Sequence, residues 1–277
     1  MVIRSISAAI GIVVAIGILF LHDTPVFDAA VAALSVIMVY ELLSADKCIK
    51  YKLHTVVCFL FAIIMPFLSE YSNGMELKYI LATVCIFTMF VGFIAKHKEM
   101  AFEKLCYMIA VTILASTCMC CLVALKNLNE IHGVCYIVLC LAGAWLGDSG
   151  AYFVGTFLGK HKLCPEISPK KTVEGAVGGV ITVGIVFAVY AFFYHMVQGY
   201  RGFVFEVNYI YLVIMGMICG ILGIVGDLSA SLVKRQCGIK DFGNIMPGHG
   251  GLMDRFDSVL FVAPFMMFVL SHFTLFM

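Results

Sequence analysis

Between Asp227 and Asp257 the chain gathers four carboxylates (Asp227, Asp241, Asp254 and Asp257) and the basic groups Lys234, Arg235, Lys240 and Arg255. The same stretch holds the turn Pro247-Gly248-His249-Gly250-Gly251. Asp227 and Ser231 are four residues apart and fall on one helical face; Asp254 and Asp257, three apart, do the same. Carboxylates at helix ends suit a hard divalent cation such as Mg2+, which takes oxygen ligands and often uses only one or two carboxylates beside phosphate oxygens. The lysines and arginines suit phosphates. The glycine turn has little side-chain bulk and precedes a helix start, so its backbone amides can line an anion. A cation site, basic groups and a glycine turn together point to phosphoryl or nucleotidyl transfer.

A second polar group lies upstream. Asp148 sits inside an apolar run and is followed by Lys160, Ser168, Lys170, Lys171 and Glu174. An ionisable group within such a run is a functional candidate. Gly143 with Gly147 and Gly155 with Gly159 have the i, i+4 spacing that lets membrane helices approach closely, and Gly175, Gly178 and Gly179 extend that pattern. These residues leave a second class of function open, because Asp148 and Asp227 also suit the cation or proton path of a transporter. A transporter predicts repeated halves and charge near the bilayer midplane; the chain shows no clear internal repeat. A purely structural membrane scaffold leaves the polar loop without a purpose. Structural roles are also open for single residues: an ion pair for Arg255 and Asp257, a plain turn position for His249, and a complement to the helix dipole for the Asp254–Asp257 pair.

The elements that position these residues are oily. Of the 277 residues, 62% are hydrophobic and 13% charged, and the mean hydropathy is +1.04. Such values exclude an ordinary soluble domain. Apolar runs at roughly 5–21, 27–44, 54–69, 77–96, 103–125, 133–157, 173–196, 207–230 and 256–275 predict an all-α, polytopic integral membrane protein with about nine transmembrane helices. The third run is the shortest and ends near Pro66. The first is expected to be a retained span, not a cleaved leader. Residues 1–277 are expected to form a single membrane-embedded domain. The 12 cysteines are scattered, and the Cys118, Cys120 and Cys121 group reads as small buried hydrophobes. Glu41, Asp46, Glu99 and Glu103, at run ends, are expected to be solvated flanks. All but Lys78, Lys126 and Arg201 of the 18 Lys and Arg residues precede the first run or follow an even-numbered one. Positive charge collects in cytoplasmic loops, so the amino terminus and the polar loops are expected in the cytoplasm and the carboxyl terminus outside.

The run Ser231 to Asp257 resembles the signature of the phosphatidate cytidylyltransferases, also called CDP-diacylglycerol synthases. Ser231, Lys234, Arg235, Lys240, Asp241, Gly243, Pro247, His249, Gly250, Gly251, Asp254, Arg255 and Asp257 all fall in register with it. Asp148, with Ser168-Pro169-Lys170-Lys171-Thr172 and Glu174-Gly175, looks like the family's second motif region. The resemblance covers the carboxyl-terminal half. It implies transfer of a cytidylyl group from CTP to phosphatidate, giving CDP-diacylglycerol and pyrophosphate, with Mg2+ as cofactor and Asp148 completing the site or binding a second cation. On this reading Asp227 and Asp254 hold the metal, supported by Asp241 and Asp257. Lys234, Arg235, Lys240 and Arg255 neutralise phosphates, and His249 donates to a phosphate oxygen. Lys160, Ser168, Lys170, Lys171, Ser231, Gly250 and Gly251 contact substrate. A related enzyme using another lipid phosphate, such as an isoprenoid ether lipid, is the nearest alternative. The expected partners are CTP and bilayer phosphatidate, with no nucleic acid. A homodimer in the cell (inner) membrane is expected, with the active site facing the cytoplasm.

Overall fold

The computed structural model describes residues 2–71, 73–246, 248 and 250–276. Ten helices follow one another: α1 (Val2–Phe20), α2 (Pro25–Ala45), α3 (Lys52–Phe67), α4 (Gly74–Ala95), α5 (Phe102–Asn127), α6 (Gly133–Leu158), α7 (Val173–Tyr200), α8 (Tyr209–Gln236), the short α9 (Met253–Phe256) and α10 (Val259–His272). Six of them, α2 and α4 to α8, are long and apolar enough to cross a membrane; α3, α10 and the Ala9–Phe20 part of α1 are shorter apolar helices. The fold is therefore all-α and suited to a bilayer, and helix length supports six spans where the apolar runs suggest nine. On α4 the side chains of Ile80, Val84, Phe87, Val91 and Ile94 are all exposed. An apolar face left open in this way suits hydrocarbon as its solvent.

Local sequence explains the helix boundaries. Pro25 opens α2, where its missing N–H costs nothing and its fixed φ fits a first turn. Thr172 caps α7, its hydroxyl accepting from the Gly175 N–H at 3.1 Å. Pro66 lies in the last turn of α3. The expected ninth run, 256–275, is divided. Asp257 and Ser258 form a turn between α9 and α10, where the Asp257 carboxylate accepts from the Ser258 N–H at 2.7 Å. As a result α10, with 14 residues, is shorter than α3, with 16.

The chain forms two compact units, Met1–Asn127 with Gln236–Arg255, and Leu128–Arg235 with Phe256–Met277. In the first, α2, α3 and α5 pack around Met38, Leu43, Phe61, Leu105, Met108 and Met119, all fully buried. Asp28 of α2 and Lys126 of α5 form a buried ion pair at 3.1 Å within this unit. In the second, α6 and α7 make the most extensive helix contact. A two-stranded antiparallel hairpin, β1 (Lys162–Cys164) and β2 (Ser168–Thr172), fills the expected loop ahead of α7. Far along the same unit His132, Tyr136, Tyr194, Phe205 and Phe276 form an aromatic cluster. Within it the Tyr194 hydroxyl lies 2.8 Å from His132 Nδ1. All 12 cysteines are free, and Cys118 and Cys120 are buried as the apolar reading expects.

The glycine pattern of α6 and α7 is a packing device. A methyl group added at Gly179 would lie 2.7 Å from the Gly147 carbonyl oxygen, and one at Gly175 would lie 2.7 Å from the Ala151 oxygen. Neighbouring backbone cannot yield as a flexible side-chain end can. By contrast, a methyl at Gly199 meets nothing within 4 Å. Overpacking of this kind costs about 1–3 kcal/mol, and 1 kcal/mol moves the midpoint of a chain this size by about 2–4 °C. Gly179→Val is therefore expected to lower the thermal midpoint in detergent by several degrees. Gly199→Ala should leave it near the parent value. Equal midpoints for the two variants would contradict the close approach of α6 and α7.

Candidate active site

In the unit Leu128–Arg235 with Phe256–Met277, three elements bring Asp148, Lys171 and Asp227 together. The last residues of β2 lead into the capped start of α7 and carry Lys171 to Asp227 of α8, with which its ammonium forms an ion pair. The same Nζ lies 3.7 Å from Asp148 Oδ1 on α6. Asp257 is placed by a second close approach. A methyl at Gly226 would lie 2.8 Å from the Asp257 carbonyl oxygen and 2.9 Å from Ser258 Cα, so only glycine lets α8 come this near to the turn. Ser258 fastens it by donating from its hydroxyl to the Gly223 oxygen at 3.0 Å. Asp257 is 6% exposed. Burial, and next the neighbouring Asp227 carboxylate, push its carboxyl up to about 7. A cation between such carboxylates would lower that cost.

The surroundings of this group carry the other expected residues. Lys170 and Lys160 are exposed, and Ser168 and Ser231 are half-buried. The Glu174 carboxylate holds the start of the hairpin: it accepts from the Lys160 N–H at 3.0 Å and lies 2.6 Å from the ring nitrogen Nδ1 of His161. Lys234 is half-buried and Arg235 exposed in the last turn of α8.

In the unit Met1–Asn127 with Gln236–Arg255, the loop after α8 folds on itself around Asp254. The Asp254 Oδ2 accepts from the Phe242 and Gly251 N–H groups, each at 2.9 Å. Met246 donates its N–H to the Gly250 oxygen at 3.1 Å, closing the glycine turn. Gly248 and Gly250 have φ of +79° and +86°, which favour glycine. A methyl at Gly250 would lie 3.0 Å from Asp254 Oδ2 and 3.4 Å from Asp241 Cγ, so Asp241 and Asp254 flank the same glycine. Lys240, Asp241 and Arg255 are exposed. Pro247 and His249 lie outside the described residues.

One residue of this unit corrects its sequence reading. Glu41, expected to be a solvated flank of the second run, is 1% exposed. Its Oε1 accepts from the Leu252 N–H at 2.9 Å and its Oε2 from the Met253 N–H at 2.7 Å. The loop supplies donors that offset the burial of this carboxylate. Asp46 is also drawn in, pairing with Lys104 at 2.6 Å. Glu103 is exposed, and Glu99 pairs with Lys96 at the surface, as expected of flanks. A lone glutamate at the end of an apolar run reads the same whether water or a distant loop solvates it, so nothing in the sequence marked Glu41.

The sequence profile of the cytidylyltransferase family matches residues 2–273. The chain belongs to this family. Among curated relatives, the phosphatidate cytidylyltransferase of Bacillus subtilis (strain 168) is 33% identical over 252 residues, 90% of each chain. Those of Staphylococcus haemolyticus and Staphylococcus saprophyticus are each 46% identical, over 132 and 133 residues. The aligned part is 48% of this chain in both cases, and 47% and 48% of the two relatives. Family membership decides between the enzyme and the transporter that Asp148 and Asp227 left open.

Among the described residues no group of three or more His, Cys, Asp or Glu side chains stands ready to hold a metal ion. The donor set nevertheless fits Mg2+, which needs only one or two carboxylates when phosphate oxygens complete its shell. Asp227 already neutralises a cation, the Lys171 ammonium.

The glycine turn yields a direct test. Gly250→Ala and Gly238→Ala both introduce a side chain at positive φ, +86° and +68°, but a methyl at Gly238 meets nothing within 4 Å. Both variants bear backbone strain, while only Gly250→Ala also crowds the Asp254 carboxylate. Small misplacements in a site cost up to about a hundredfold in rate. Gly250→Ala is expected to lose about tenfold or more in turnover, and Gly238→Ala to keep it, as measured on purified protein at equal loading.

Proposed function

We propose that this chain transfers the cytidylyl group of CTP to phosphatidate, giving CDP-diacylglycerol and pyrophosphate. The family match across residues 2–273 carries this reading. The B. subtilis relative that aligns over 90% of the chain bears the name of this activity. An oxygen of the phosphatidate phosphate attacks the α-phosphorus of CTP, and the bond from that phosphorus to the α–β bridging oxygen breaks. That oxygen leaves with pyrophosphate. The nucleophile is already anionic, so no strong general base is required. The barrier lies in bringing two polyanions together and in stabilising charge on the leaving group.

The roles follow from the charges. Mg2+, when bound, would supply positive charge that offsets the charge developing on the leaving group. Asp227 and Asp257 in one unit, and Asp241 and Asp254 in the other, are the carboxylates proposed to serve it. The pairing of Asp227 with Asp254 on one metal is part of this proposal; Asp254 belongs to the signature, and Asp227 lies four residues before its first position, Ser231. Asp148 is proposed to complete the site or hold a second cation. Lys234, Arg235, Lys240 and Arg255 neutralise phosphates, and His249 donates to a phosphate oxygen. Lys160, Ser168, Lys170, Lys171, Ser231, Gly250 and Gly251 line the substrates. Lys171 also acts before substrate arrives, when its ammonium balances Asp227 and Asp148, groups that would otherwise repel.

CTP is water-soluble, so the charge asymmetry of the loops supports an active site and amino terminus in the cytoplasm, with the carboxyl terminus outside. Phosphatidate would enter sideways from the leaflet. Family resemblance supports a homodimer in the cell membrane.

Purified protein in detergent, given phosphatidate, labelled CTP and Mg2+, is expected to place label in the lipid phase. The label should vanish when Mg2+ is chelated and in Asp227→Ala and Asp254→Asn, both of which should still insert. Undiminished label after chelation, or in a folded Asp227→Ala, would overturn the metal assignment. No label in folded parent protein would redirect the search to other lipid phosphates.

A further inference from the structure

Glu41 lies one turn from the end of α2, more than two hundred residues before the loop it touches, and nothing in the signature includes it. Its two carboxylate oxygens take the N–H groups of Leu252 and Met253, while Asp254 takes the N–H of Gly251. Three consecutive backbone amides are thus shared between two carboxylates, so Glu41 grips the residues next to the amide that Asp254 holds. The glycines beside it have no room for a side chain. A methyl at Gly251 would lie 2.6 Å from both Glu41 oxygens, and one at Gly243 would overlap Oε1. Two signature glycines are therefore spaces for the Glu41 carboxylate. A carboxylate buried to this degree is costly unless hydrogen-bonded, and here the bonds go to the residues that lead into Asp254.

We infer that Glu41 is a positioning residue for the transfer reaction, fixing the Gly251–Met253 backbone so that the Asp254 carboxylate is held for catalysis. The inference rests on the reading that Asp254 serves the reaction. It makes Glu41 part of the working site without contact to substrate, and it gives the amino-terminal half of the chain, which lies outside the signature, a role in turnover.

Glu41→Gln tests it, because the amide keeps the shape but replaces one acceptor with a donor, so that one of the two N–H groups loses its partner. Hydrogen exchange in peptides covering 242–256 reads that contact without reference to activity. Exchange at Leu252 and Met253 is expected to quicken. The kcat should fall by about tenfold or more, with the KM values for CTP and phosphatidate near the parent values and the protein still folded at the assay temperature. Gly251→Ala, which pushes on the Glu41 carboxylate without removing it, should quicken the same exchange. Quickened exchange with parental kcat would reduce Glu41 to a structural tie and overturn the inference. Unchanged exchange, or a fall in kcat that only tracks the loss of folded protein at the assay temperature, would overturn it too. Parental turnover in Asp254→Asn would remove the underlying reading instead, and the exchange data would still report whether Glu41 grips the turn.

Discussion

A carboxylate taken out of water must be given back its hydrogen bonds and its counter-charge, and most of the polar architecture of this chain follows from that requirement. Three of the acids near the loops are answered by specific partners. Glu41 has the Leu252 and Met253 amides, Asp254 has those of Phe242 and Gly251, and Asp227 has the Lys171 ammonium. The partners are mostly backbone amides, and this has a consequence. A backbone donor is placed only if its whole turn is placed, so satisfying the acid and shaping the loop become one event. Where the partner is instead a lysine side chain, as at Asp227, the acid is balanced without fixing a turn.

Glycine is the complement of this arrangement, and its uses differ by position. In α6 and α7, glycines let two backbones touch, which membrane helices need because apolar burial does little to hold them together in hydrocarbon. At Gly226 the same closeness seats the Asp257 turn against α8. At Gly250 the demand is a positive φ within reach of two carboxylates, and at Gly243 and Gly251 it is room for a third. One residue type thus solves problems of packing, backbone conformation and carboxylate access that no single substitution would leave intact.

Much of this was legible in the residues. Each of the nine apolar runs falls on helix among the described residues, though the ninth is divided and only six helices are long and apolar enough to cross a membrane, because period reports a helix more readily than its length. The Ser231–Asp257 signature and the Asp148 to Gly175 region pointed to the family that the profile match supports. Three features were not legible. The hairpin at 162–172 is too short and too polar to announce itself by alternation. The break at Asp257–Ser258 depends on bonds to Gly223 and within the turn, not on a helix-breaking residue. Glu41 was hidden because its partners lie 211 and 212 positions away in the sequence. A local reading scores such a residue by its neighbours, and those neighbours form an ordinary helix end.

The signature itself takes on a different meaning once these contacts are seen. Its many fixed positions are more than phosphate chemistry alone requires, since a nucleophile that is already charged needs only cations and alignment. The charged members, Lys234, Arg235, Lys240, Asp241, Asp254, Arg255 and Asp257, are the ones proposed to supply the electrostatics. Gly250 and Gly251 belong to the turn that holds Asp254, and Gly243 and Gly251 leave room for Glu41. Alignment is the costly part of joining two polyanions at a bilayer surface, because each reactant would otherwise be repelled from the other before it could be oriented. Fixing the turn before binding moves that cost into folding, where the apolar packing of α2, α3 and α5 can offset it, and so the oily amino-terminal helices take part in the chemistry through the position of one buried glutamate.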